Sequence, residues 1–241
     1  LEGLSPETKY YYSAWVFLNN TQYEFGVIKE FVTIKENTGN TDNPNPSNTA
    51  KAFSVSDSKQ VTFSKGNLQY HPANKKWRFA ERQTDYIGEA NSNISSTYNG
   101  WLDLFGWSTS ATNFGVSTST DDADYSGSFV DWGTNQIGAD APNTWRTLSY
   151  DEWNYLLNTR TNASSLKGVA QVNGVNGLIF LPDNWTCPAG VTFKSGFHSE
   201  SSVEAYGQYQ TFSADQWSKL ESAGAVFLPA AGFRGGSNVY F

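Results

Sequence analysis

The sequence predicts an α+β protein dominated by strands, and three observations carry that reading. Short segments alternate apolar and polar residues between clusters of Gly, Pro, Asn and Asp, the pattern of half-buried strands. Two later stretches open with a Ser followed three residues on by Glu or Gln, the signature of a capped helix. Aromatic residues make up 16% of the chain and charged residues also 16%, a balance that favours pleated sheet over solvated helix.

The first segment, LEGLSPETKYYYSAWVFLNN, places Tyr10, Tyr12, Ala14 and Val16 on one side and Lys9, Tyr11, Ser13 and Trp15 on the other. It reads as a strand, NNTQ as a turn, and YEFGVIKEFVT as the hairpin partner. A lone hairpin has nothing to bury its apolar face against, so this module needs further strands or a neighbouring domain. From Lys35 to Ala50 the run KENTGNTDNPNPSNTA is polar and stiffened by Pro44 and Pro46, which makes it a linker. The expected organisation is therefore a short β module over 1–34, a linker over 35–50 and a second domain over 51–241.

In the second domain AFSVS, QVTFS, GNLQY and KWRFA read as strands, with HPAN as a turn. GWLDLFGW is densely aromatic, and the Ser/Thr/Asp/Gly stretch after it, from Ser108 to Ser128, has no period; a loop of that length is functional or mobile. In WRTLSYDEWNYLLNTR, Ser149 and Glu152 form a capping box. Asp151 and Glu152 suit the positive end of the helix, Arg160 suits its negative end, and Trp153, Leu156 and Leu157 form the apolar stripe. Each acid here has a structural task, so the segment is a scaffold rather than an active site. SADQWSKLESAG repeats the device with Ser213, Gln216, Trp217, Leu220 and a C-terminal Gly224. Between the helices, GVAQVNGVNGLIFLP is a hairpin whose turn is Asn173-Gly174 or Asn176-Gly177.

A net charge of −7, with no run of Lys and Arg, argues against nucleic acid and against anionic membranes. No apolar run approaches the ~20 residues of a membrane span. One cysteine, Cys187, and two histidines, His71 and His198, preclude a disulfide framework and a Cys/His zinc site. Cys187 has no basic neighbour to activate its thiol. The absence of Met suggests a piece of a longer chain. No phosphate loop, nucleophile elbow or zinc-protease pair occurs. Carboxylate pairs for glycoside hydrolysis are set by spacing in the fold and stay open. Asp121, Asp122 and Asp124 crowd oxygen ligands into one loop, as Ca²⁺ requires. Their spacing is not that of an EF-hand and no bidentate Glu closes it, so a solvated loop is the competing reading. Trp101, Trp107, Trp132 and Trp185 are candidate platforms for sugar rings, each weighed against a place in the core.

The order Leu4, Pro6, Thr8, Tyr10 resembles the tyrosine corner of fibronectin type III domains, which would make 1–34 the last two strands of such a sandwich. The second domain, through VTFSKGNLQY, KWRFAERQ, GWLDLFGW, VDWGTN, WRTLSYDEW, VNGVNGLIFLPDNW and GAVFLPAAGFR, resembles secreted Bacteroidetes proteins related to the Fibrobacter major paralogous domain. More distantly it resembles formylglycine-generating enzymes. The resemblance implies a C-type-lectin-like fold over 51–241. It also implies that the last strands of the family's sheet, a Trp-Ser-Ser segment and a Ser-Val-Arg strand, are absent after Phe241. The cysteine pair that binds copper in the enzymes has no counterpart in a chain with one cysteine. LPDNW resembles the Pro-Asp motif with which calcium-dependent lectins hold sugars, but Leu181 stands where a ligand side chain is needed.

The expected function is a non-catalytic module at the cell surface or outside the cell, binding a glycan or protein. Its candidate contacts are Trp101, Trp107, Trp132, Arg234, Asn238 and Tyr240, with Ca²⁺ as the one cofactor worth testing. A carbohydrate-active enzyme or its remnant, and a structural component of a surface assembly, are the alternatives.

Overall fold

The computed structural model describes residues 51–106, 116–121, 129–196 and 210–241, together with the backbone of four strands between 9 and 32. The chain divides into two compact units, Leu1–Pro46 and Ser47–Phe241. In the first, β1 (Lys9–Tyr12) pairs antiparallel with β4 (Lys29–Val32), and β2 (Trp15–Asn19) with β3 (Gln22–Phe25). The hairpin is thus built from two nested pairs rather than one unbroken ladder. Its register shifts between Phe17 and Asn19, beside the turn.

The second unit is mixed α+β, mostly sheet with few helices. Two short pairs come first: β5 (Phe53–Ser54) with β6 (Gln60–Val61), and β7 (Leu68–His71) with β8 (Lys76–Phe79). The principal sheet has four strands in the order β11 (Gln210–Phe212), β9 (Lys167–Val172), β10 (Val175–Phe180), β12 (Val226–Pro229). β11 runs parallel to β9 and the other neighbours are antiparallel. A final hairpin joins β13 (Phe233–Gly235) to β14 (Asn238–Tyr240).

Asn173 and Gly174 form the β9–β10 turn, with φ of 48° and 82°. Two positive φ values in succession define the turn whose twist matches paired strands. Gly177 serves the sheet instead. A Cβ there would lie 2.3 Å from the Leu228 carbonyl oxygen and about as close to the Phe227 ring, so a missing side chain lets β12 pair closely with β10.

Period-two alternation sends the side chains of this sheet into two cores. Ala170, Val172, Ile179 and Phe227 point to one face, where α2 (Ala214–Ser222) lays down Trp217 and Leu220. Phe180 and Val226 point to the other, against Phe53, Val55 and Leu156. The sheet is therefore the middle layer, with α2 on one side and α1 (Tyr150–Asn154), its continuation and β5 on the other.

Both helices start as the sequence predicts. Ser149 Oγ accepts from the Glu152 amide and Glu152 Oε2 from the Ser149 amide; Ser213 and Gln216 repeat this. α2 ends at Gly224 (φ 99°), where Ala225 N donates to Leu220 O and Gly224 N to Glu221 O, closing the end in a left-handed cap. α1 ends differently. It runs into a π-helical turn over Tyr155–Thr159, closed by Arg160 N on Tyr155 O. The Arg160 side chain then turns back, as expected of a cation at a helix C-terminus, and its Nε donates to Leu156 O at 2.8 Å.

A third core gathers Tyr70, Trp77, Val116 and Ile137, with Phe105, Trp132 and Trp145 packed at its margin. Phe105 stands nearly perpendicular to Trp77 and to Trp132, the edge-to-face arrangement aromatic quadrupoles prefer.

Candidate functional site

Two loops and the start of α1 build an open cleft beside the third core. The loop at 129–135 holds a 3₁₀ turn over Trp132–Thr134, capped by Asp131, whose Oδ1 accepts from Gly133 N at 2.8 Å. The same carboxylate takes Thr147 N at 3.0 Å, which pins this loop to the segment leading into α1. Gly133 is required at the crossing, since a Cβ there would fall 1.8 Å from the Trp145 carbonyl oxygen. Trp145 is held in turn by its Nε1–H, donated to Asp140 Oδ2 at 2.7 Å.

Arg146 and Glu152 form the floor. Arg146 NH1 donates to Oε2 at 2.6 Å and NH2 to Oε1 at 2.8 Å, a bidentate pair; Lys59 Nζ reaches Oε1 at 2.9 Å. The Arg146 bonds, with help from Lys59 and the Ser149 amide, hold the Glu152 carboxyl at about 2. Glu152 thus stays ionised at any physiological pH. The pair in turn raises Arg146 above its ordinary value. The cleft encloses about 530 Å³ and is lined by Lys59, Phe129, Arg146, Thr147, Leu148, Ser149, Tyr150 and Glu152. Two aromatic side chains stand at its margin, Phe129 at 51% and Tyr150 at 83% exposure.

The residues singled out in the sequence lie elsewhere. Trp101 is half-buried beside β7 and β8. The Arg78 guanidinium sits 4.0 Å from its ring centroid and His71 meets it edge-on, so Arg78 already occupies one ring face. Trp132 is half-buried between Phe105 and Phe129, adjoining the cleft from behind. Trp185 packs on Phe193 at the edge of the first core. Trp107 lies outside the described residues.

Arg234, on β13, donates from Nε to Leu104 O at 3.2 Å and from NH1 to Gly236 O, which fastens the final hairpin to the segment before Phe105. Asn238 is exposed, and Tyr240 stacks on Phe233 with centroids 4.9 Å apart and planes 19° from parallel. Phe233, Tyr240 and Phe241 are exposed together on this hairpin. Arg234, Asn238 and Tyr240 thus share one hairpin, while Trp101 lies elsewhere, beside β7 and β8.

Asp121 is exposed, its amide donating to Ser119 Oγ; Asp122 and Asp124 lie outside the described residues. Among the described residues no cluster of three or more His, Cys, Asp or Glu is placed to hold a metal ion. Asp183, of the LPDNW phrase, is filled by protein donors. Its Oδ2 accepts from Ser54 N, Ser54 Oγ and Gln60 Nε2 and its Oδ1 from Arg160 NH1. Partial burial acts to raise its pKa, but the donors prevail and hold it below the usual carboxylate range. Asp103 shows the opposite balance: burial raises it despite bonds from Asn91 and the Ile87 amide.

Sequence reasoning missed Lys59, Phe129, Arg146 and Tyr150 as a group. Lys59 joins the others only because β5 and β6 pack against α1, a contact no local pattern announces. Arg146 and Glu152, six residues apart, carried a local signal, since a chain entering a helix folds back over its first turn.

A scan against protein-family models and searches of curated proteins and of solved structures return no match to this chain. No helix among the described residues is long and apolar enough to cross a membrane.

Proposed function

We propose that the second unit is a non-catalytic binding module, acting at the cell surface or outside the cell, that recognises a glycan or protein through the cleft at the start of α1. In this reading it has a C-type-lectin-like fold of the formylglycine-generating-enzyme type, and the first unit is the end of a fibronectin type III-like domain. The two capped helices, the Asn-Gly hairpin and the mixed α+β architecture agree with that assignment. One observation carries the function: two exposed aromatic side chains flank a floor whose ionic groups are already locked to one another. Rigid polar groups beside flat apolar faces suit recognition, because little order has to be gained on binding. Glu152, held ionised, is a poor proton donor, which weighs against glycoside hydrolysis at this cleft.

The test is a glycan-array and surface-protein binding scan of the chain and of Tyr150→Ala and Phe129→Ala, each with calcium and with EDTA. Binding that is lost in both variants supports the cleft. Binding that survives in both places the site elsewhere, and calcium dependence would direct attention to Asp121 and its neighbours.

A further inference from the structure

The hydrogen-bonding capacity left to the charged groups of the cleft is one-sided. An ionised carboxylate offers about four acceptor sites, and those of Glu152 are filled by Arg146 NH1, Arg146 NH2, Lys59 Nζ and Ser149 N. Asp131, just behind, spends its oxygens on the amides of Gly133 and Thr147. Ser149 Oγ accepts from Glu152 N as the helix cap.

Donors remain. A guanidinium carries five N–H groups and an ammonium three. Arg146 uses three of them, on Thr147 O and the two Glu152 oxygens, and Lys59 uses one. Both side chains are open to solvent, at 38% and 54%, and both bond the same oxygen, Glu152 Oε1, so their unspent donors stand side by side. The charged groups lining the cleft are two cations and one anion, on a chain whose net charge is −7. A neutral sugar presents hydroxyls that both give and accept. The charged groups of this floor have only donors left, beside the Thr147, Ser149 and Tyr150 hydroxyls, which can do both.

We infer that the cleft selects an acidic saccharide, its carboxylate taken by Lys59 and Arg146 and its ring face set against Tyr150. The inference rests on the binding role proposed above and adds the ligand class. A saccharide is favoured over an acidic peptide because Tyr150, 83% exposed at the margin, offers a flat ring of the kind that meets the face of a pyranose.

The experiment is titration calorimetry of the intact chain with three probes: a hexuronate trimer, the neutral hexose trimer of the same linkage, and a short glutamate peptide. Binding to the hexuronate about tenfold tighter than to the neutral trimer is expected, as one charge-assisted hydrogen bond supplies. Lys59→Gln should weaken hexuronate binding more than neutral binding, with Arg146 keeping part of the preference; Tyr150→Ala should weaken both. Both positions are exposed, and circular dichroism would verify that each variant folds. Equal affinity for the two trimers, still dependent on Tyr150, would overturn the acidic class and leave the binding role standing. Preference for the peptide would overturn the saccharide. No binding to any probe, together with a blank array, would overturn both.

Discussion

Replacing Asp183 by Ala tests whether its carboxylate holds the second unit together. The Arg160 side chain is 1% exposed and Asp183 20% exposed, with 2.9 Å between NH1 and Oδ1. Removing Asp183 would leave a buried guanidinium with Leu156 O and Leu166 O but no countercharge. Breaking a buried pair in this way costs about 3–5 kcal/mol, and the partial wetting of Asp183 sets the expectation near about 3 kcal/mol. For a domain of this size that corresponds to a fall in Tm of about 6–12 °C. Differential scanning calorimetry and urea unfolding would read it. The decisive comparison is the same substitution in an Arg160→Met background. With no cation to strand, Asp183→Ala should then cost less by the coupling between the two groups, about 1–3 kcal/mol, and what remains is the loss of the bonds from Ser54 and Gln60. An equal cost in both backgrounds, or a fall below about 2 °C in the single variant, would refute the ion-pair argument.

Glu152 has a folded pKa of about 2 against an ordinary 4.5, so its contribution is fully present above 4.5 and is lost as pH falls towards 2. The urea midpoint of the native chain should therefore drop over that window by on the order of 2 kcal/mol in stability, and the drop should be shallower in Glu152→Gln. Gly177→Ala should cost about 3 kcal/mol by forcing β12 away from β10. Gly174→Ala, with open space around it but φ at 82°, should cost only about 1 kcal/mol. Thermal melts of the two variants would separate close approach from backbone conformation.

What was legible in the sequence was local. The capping boxes at Ser149 and Ser213, the Gly224 stop and the Arg160 return all depend on residues within one or two turns, and all are present. The choice between two Asn-Gly turns was not local. Gly177 differs from Gly174 only through Leu228 and Phe227 of a strand fifty residues on. Tryptophan was the least informative residue type. Trp101 is set against Arg78 and His71 by the bridge between Tyr70 and Leu102, and Trp132 is set by Phe105. Neither neighbour can be read from a sequence window, and nor can the exposure of Tyr150, which stands three residues before Trp153 on the apolar side of its own helix yet lies at its exposed first position.

The clasp between Ser54 and Asp183 has a consequence for the order of events during synthesis. β5 is made early and can pair at once with β6, with Phe63 against Phe53. The Ser54 amide and hydroxyl, however, find Asp183, and Phe53 the core around Leu156, Phe180 and Val226, only in the later chain. A strand pair emerging from the ribosome with such distant partners has to wait, uncovered, while about a hundred further residues are added. The sheet and its two helices can assemble from the later part of the chain. The β5–β6 pair is then the last part of this unit to be fastened to the sheet, and the side chain that fastens it is Asp183.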